Sequence, residues 1–303
     1  MKRSSLSTAL ALGFLLVASN LSADPAPAVS PVAADLKAIA VNVDAKEKAG
    51  QDQPADFADE FAAYDDLLDR KYRGQKSEEV AEIALTRAIL YWDLGSAPAV
   101  VEKNFLAVKQ GFPGTKAAAT AARILKNNET LAALAGKRAP EIHFKWSSAG
   151  DLTILSALKG RVVVIDFWAT WCGPCLRAFP QMREHTEHFK DVPVIFLGVT
   201  SIQGRVKNLE PKSIDTKGDP AREMALMPAF MRAKDMTWSV VFSQEDVFNP
   251  DYGVSGIPFV AIIAPDGTVR HAGLNPGDKR ADIGGKIEAI LREFKMPVPA
   301  PKS

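Results

Sequence analysis

Cysteine is nearly absent from this chain, with two residues in 303. That excludes the dense disulfide framework on which small secreted domains rely. Histidine is almost as scarce, at four residues, so a structural zinc centre, which usually takes four ligands, is poorly supplied. Neither sign of charge is in excess: 37 Lys and Arg stand against 36 Asp and Glu, a formal net charge of +1. This balance points away from nucleic acid and anionic membrane surfaces as partners. The apolar run near the start, "ALALGFLLVA", is shorter than the roughly 20 residues of a comfortable membrane span.

What is present at the start has a layout of its own. Lys2 and Arg3 precede the apolar run, and Ala23 follows it. These parts predict a secretory signal peptide over 1–23 and a mature protein outside the cytosol, with an uncleaved membrane anchor as the alternative. Leu21 departs from the pattern, since a small residue is preferred there. No cysteine lies near the cleavage point, which excludes a lipid-anchored mature terminus. Residues 24–54 are rich in Ala and Pro and read mostly as a flexible linker, with a short helix over 34–41.

The length allows about two domains. Over 55–135 the pattern is helical. Phe57, Phe61, Tyr64, Leu68 and Tyr72 recur at spacings of three and four, which lines one helix face. Ser77 can cap a second helix, Pro98 can open a third, and Thr115 can cap an Ala-rich fourth running towards Asn127. A small all-α domain with its own core is the simpler reading, and a surface that binds another protein is the alternative. Helical-hairpin repeats are not matched. Beyond residue 136 the pattern changes. "RVVVIDFWA", "VPVIFLGVT", "WSVVFS" and "PFVAIIA" are buried strands alternating with helical stretches, which predicts an α/β sheet covered on both faces over 136–296. The tail 297–303 reads as disordered.

Both cysteines stand in "DFWATWCGPC". A strand ends just before Cys172, and a helix begins at Gly173 and Pro174. Unpaired N–H groups and the helix dipole at that point favour a negative charge, so the Cys172 thiolate is stabilised below its free pKa of about 8.5. Cys175 lies one turn on, near enough to close a ring. One cysteine can then attack a disulfide and the other release the product. Zinc is the competing reading, but His185 and His188 lie roughly 15 Å further along the helix, at about 1.5 Å per residue, and read as surface residues. A purely structural disulfide is disfavoured because so short a loop removes little chain entropy. Asp166 is a carboxylate in an apolar strand, where burial would raise its pKa.

"VVVIDFWATWCGPC" resembles the active-site strand and turn of thioredoxins, and "YGVSGIPFVAII" resembles that fold's later Tyr-Gly-x-x-Gly-Ile-Pro signature. The flanking "GKRAPEIHF" and the long segment between the motifs look more like the secreted TlpA/ResA branch, in a frame shared with the AhpC/TSA redoxins. The resemblance implies a thioredoxin-like fold: a central mixed sheet flanked by helices, behind the helical domain. It makes Cys172 the exposed nucleophile, Cys175 the resolving thiol and Asp166 the group that moves the resolving thiol's proton. It makes Pro258 a cis proline and Ile257 the residue whose backbone holds an extended substrate. Trp171, Gly173 and Pro174 would complete the substrate surface. No cofactor or metal is implied beyond the redox-active disulfide. Two positions depart from the patterns: aligned by sequence, Phe196 stands where thioredoxins place a lysine near the acid, and Ala178 where the secreted branch has a glutamate. The loop 201–220 receives no role.

The implied activity is that of an extracytoplasmic thiol–disulfide oxidoreductase in the periplasm or cell envelope. Gly173-Pro174 and Ile257 resemble reducing members. Protein disulfides are the implied substrates, cytochrome c maturation one setting, and a membrane protein the electron donor. A peroxidase-like antioxidant and a non-enzymatic interaction protein acting through the helical domain are the alternatives.

Overall fold

The computed structural model describes residues 30–300. The signal-peptide reading over 1–23 lies outside the described residues. Among them, no helix is long and apolar enough to cross a membrane. Two compact units divide between Leu125 and Lys126.

The first unit is helical. Helix α1 spans Pro31–Lys48. Ser30 accepts a hydrogen bond from the Ala33 N–H at 3.2 Å, and Pro31 suits the first turn, which has no use for its missing N–H. The helix buries Val32, Leu36, Ile39 and Val43, spaced four, three and four apart on one face. Residues 31–48 of the segment read as mostly flexible thus form an 18-residue helix. Helix α2, Ala58–Asp66, continues into a wide turn in which the Tyr72 N–H reaches back to the Leu67 carbonyl at 2.8 Å. Helices α3, Glu78–Asp93, and α4, Pro98–Gly111, follow. Ser77 caps α3 by accepting from Val80 N–H at 3.3 Å. Helix α5 spans Lys116–Leu134, with Thr115 accepting from the Ala118 N–H at 3.0 Å. Its first two N–H groups donate to the Glu78 carboxylate at 2.8 and 3.1 Å, so two helix starts share one region. The core includes Phe57, Ile83, Ala88 and Phe105. Helix α5 runs past Asn127, and the unit boundary falls within it, ten residues before the domain boundary read from the sequence.

In the second unit a six-stranded sheet is built from β1, Phe144–Ser147; β2, Val162–Phe167; β3, Val194–Thr200; and, after an inserted hairpin, three later strands. The hairpin is β4, Arg205–Val206, with β5, Ile214–Asp215. The later strands are β6, Ser239–Ser243; β7, Phe259–Ile263; and β8, Val269–Leu274. Helix α6, Gly173–His188, joins β2 to β3. Helix α7, Pro220–Ala233, precedes β6, and α8, Ile283–Glu293, follows β8. The sheet order is β1-β6-β3-β2-β7-β8. Strand β3 runs parallel to β2 and β6, and β7 runs antiparallel to β2 and β8. This mixed α/β sheet is thioredoxin-like.

Strand β2 is central and buried along its whole length, which is why its sequence is continuously apolar rather than alternating. Alternate residues still serve opposite faces. Val162 and Val164 join Phe179, Phe230, Ile287 and Leu291 on one side. Val163, Ile165 and Phe167 join Leu134, Tyr252 and Val254 on the other. Gly253, inside the "YGVSGIP" motif, has φ +65°, and a β-carbon there would lie 2.9 Å from the Asn127 carbonyl oxygen. Only glycine meets both the left-handed backbone and the close approach.

Candidate active site at the start of helix α6

Strand β2 delivers the chain to Cys172 at the N-terminus of α6. Cys172 is the capping residue, Gly173 and Pro174 form the first turn, and the Cys175 N–H points at the Cys172 sulfur, N to Sγ 3.2 Å. The two cysteines are joined by a disulfide, with S–S 2.02 Å and Cα atoms 5.3 Å apart. The Arg177 guanidinium passes 3.4 Å from where a β-carbon on Gly173 would sit. That places a cation over the same helix start, and the motif by itself does not reveal it. The Ile257–Pro258 peptide bond is cis, and the Ile257 carbonyl oxygen lies 3.6 Å from the Cys172 sulfur.

Cys172 is 3 % exposed in this disulfide form, which corrects the picture of an exposed nucleophile. Both cysteines belong to the apolar cluster, and Trp171 and Ile257 pack against it. The histidines also differ from expectation. His185 stacks on Phe196, and His188 lies against Phe189 with Nε2 3.5 Å from Glu288. Both are partly buried packing residues rather than surface ones.

Asp166 alternates with Val164 and Trp168 along β2, so it faces the same side of the sheet as the cysteine pair. It is 1 % exposed, and its Oδ1 has no hydrogen-bond partner. Burial pushes its pKa up to about 7, because a charge taken out of water is costly. No hydrogen bond joins it to either cysteine. The residue beside it on β3 is Gly198, whereas Phe196 pairs with Val164. Phe196 therefore lies two residues, one side-chain repeat, from the direct neighbour of the acid on β3. Gly198 leaves room there: a β-carbon would lie 2.8 Å from the Trp168 indole nitrogen and 3.0 Å from that of Trp238. Trp168 is a fully buried core residue between Phe179 and Phe230.

Several residues around the disulfide come from the segment to which the sequence assigns no role. The Trp171 indole donates to the Gln203 side-chain oxygen at 2.9 Å. Asn208 donates from its side chain to the Thr170 carbonyl at 2.7 Å, and the Lys207 N–H donates to the Thr170 hydroxyl at 3.2 Å. Phe248, 40 % exposed, stands beside Trp171 with ring centroids 6.3 Å apart. Thus Trp171, Phe248 and Ile257 offer an apolar rim to the sulfurs.

The family model described as Redoxin matches residues 134–287. The chain belongs to the redoxin family. Its relatives include the thioredoxin-like protein YneN of Bacillus subtilis, 27 % identical over 46 % of this chain and 71 % of that one. The thiol-disulfide oxidoreductase ResA of the same organism is 29 % identical over 38 % of this chain and 54 %, about half, of its own length. Among solved structures, the thioredoxin domain of a thiol-disulfide oxidoreductase from Bacteroides vulgatus is 20 % identical, covering 53 % of this chain and 96 % of that one at a TM-score of 0.37. A redoxin whose two cysteines close on each other at a helix start, among such relatives, is a thiol–disulfide oxidoreductase by reaction class. The helical unit over 30–125 lies outside the matched residues.

Proposed function

We propose that this redoxin works outside the cytosol as a reductase of protein disulfides. The observation that carries the chemistry is the Cys172–Cys175 disulfide closed across the first turn of α6, with the first sulfur in the capping position. In the reduced protein Cys172 is the thiolate. It attacks one sulfur of a substrate disulfide, forming a mixed disulfide and expelling the other substrate sulfur as a thiolate, which takes a proton from solvent. Cys175 then gives up its proton and attacks the Cys172 sulfur. The Cys172–substrate bond breaks, the second substrate sulfur leaves as a thiolate that takes its proton from solvent, and the observed disulfide closes. Two electrons and two protons pass to the substrate in total. Asp166, on the same face of the sheet and with a pKa near neutrality, accepts the Cys175 proton through an intervening water and returns it on re-reduction. Gly173 and Pro174 shape the turn. Ile257 and Pro258 hold an extended substrate strand beside the sulfurs, and Trp171 gives it an apolar surface.

The charged start and apolar run of the first 23 residues support export. An envelope location calls for a membrane dithiol donor to restore Cys172 and Cys175, and exported proteins such as apocytochromes c supply disulfides of the required kind. Insulin reduction tests the reading: wild type is expected to catalyse it and Cys172→Ser to abolish it. Cys175→Ala is expected to accumulate covalent adducts with envelope proteins, since nothing resolves them. A Cys172→Ser variant as active as wild type overturns the assignment. Rapid consumption of hydrogen peroxide with inert disulfides would favour a peroxidase instead.

A further inference from the structure

The inserted segment after β3 is built into the site by a buried anchor. Glu223 of α7, 2 % exposed, accepts hydrogen bonds from the N–H groups of Gln203 and Gly204, both at 2.8 Å, and from the Thr216 hydroxyl at 2.7 Å. Both ends of the hairpin are thereby fixed to one carboxylate, and the backbone of Gln203 cannot drift. Its side chain then has two tasks. The oxygen accepts the Trp171 indole N–H at 2.9 Å. The nitrogen donates to the carbonyl and hydroxyl oxygens of Ser201 at 3.0 and 2.9 Å. That Ser201 hydroxyl also accepts the N–H of Val247 at 3.0 Å, and the next residue is Phe248. The partners fix which way round the amide lies, because an indole N–H needs an acceptor and a carbonyl needs a donor.

We propose that Gln203 is the positioning residue that sets the substrate preference of this site. Its amide ties the Trp171 side of the rim to the Phe248 side, so the reaction favours disulfides with a bulky apolar side chain beside the attacked cysteine. An unsupported Trp171, half-buried at a surface turn, would lose side-chain order that binding must then restore. Trp171 packs against the cluster that holds both cysteines and Phe248 stands beside Trp171, so a substrate side chain flanking its cysteine can reach this pair of rings. Burying part of a large apolar side chain there is worth about 1.4 kcal/mol, or about tenfold in rate.

This inference rests on the reductase reading, and its test separates the two. Two peptides are made, each with one cysteine in mixed disulfide with thionitrobenzoate, and with either phenylalanine or serine next to it. Reduced wild type is expected to release the coloured thiolate from the phenylalanine peptide about tenfold faster. Gln203→Met and Trp171→Phe are each expected to cut that preference to about threefold or less, with no further loss in the double variant, since contacting residues acting as one unit do not add. Gln203→Glu keeps the acceptor for the indole but loses both donations to Ser201, so it is expected to lose the preference as Gln203→Met does. A preference unchanged in Gln203→Met, or additive losses in the double variant, overturns the proposal. Release from neither peptide by wild type sinks the reductase reading, and exchange of the Trp171 indole proton, followed by NMR, then decides the positioning. Exchange accelerated at least tenfold in Gln203→Met supports the tie, and equal exchange overturns it.

Discussion

At the residue scale the proposed chemistry comes down to two groups whose charge the fold controls. Cys172 feels opposing influences. The Cys175 N–H, the other free amides of the first turn and Arg177 favour a thiolate, while burial and the Ile257 carbonyl oxygen favour a thiol. Asp166 feels mainly burial. Its unfolded carboxyl ionises near pH 4 and its folded one near 7. Between those values the folded protein holds a proton that the unfolded chain has lost. Stability therefore falls as pH rises from about 4 to about 7, by on the order of 4 kcal/mol in all, and is level above that. Asp166→Asn removes the ionisation. Denaturant unfolding of the oxidised variant is expected to show a flatter slope between about pH 4 and 7 and a gain over wild type at about pH 8. An identical slope in both proteins would show that Asp166 is solvated. The same substitution should slow closure of the mixed disulfide at neutral pH by about 10- to 100-fold, in the lower range for general-base help. The two cysteines, Asp166 and Pro258 could all be singled out from local motif and strand context. Gln203, Asn208 and Phe248 could not, because each meets the Thr170–Trp171 turn only through folding of a segment more than 30 residues away.

Elements read from the sequence did best where one local rule sufficed. Ser77, Pro98 and Thr115 do open helices, and β2 is the continuous buried strand its Val and Ile residues predict. Ser77→Ala should cost about 1 kcal/mol, read in thermal or denaturant melts of the helical unit, because the Val80 N–H loses its partner. No change would mean that water caps the helix equally well. Helix α1 is obscured in the sequence. Its Val32, Leu36, Ile39 and Val43 pattern was present, but it is embedded in Ala- and Pro-rich sequence that by composition signals a linker. That Gly198 is the direct neighbour of Asp166 on β3 is hidden for a different reason. Parallel strands joined through a helix have no short turn to set their register, so the alignment between β2 and β3 becomes visible only in the fold. The true neighbour makes a sharp prediction. Gly198→Ala drives a methyl group against two buried indoles and should destabilise the protein by about 1–3 kcal/mol, the usual cost of overpacking. A neutral result would mean that Trp168 and Trp238 can both step aside.

The whole molecule is a redoxin unit that carries its chemistry at one helix start, together with a helical unit that has a separate core. Composition foretold the α-then-α/β arrangement, since helical spacing gives way to β-branched runs near residue 136. The division falls inside a single helix, which periodicity cannot reveal, because an unbroken α5 has no linker to mark it. Everything proposed for function requires that the reduced first cysteine be negatively charged at neutral pH. The direct measurement is the rate of iodoacetamide alkylation of Cys172 in the reduced protein as a function of pH, with mass spectrometry to locate the adduct. The expected profile rises with an apparent pKa clearly below the free-thiol value of about 8.5, and a profile that stays flat until beyond about pH 9 would contradict the account.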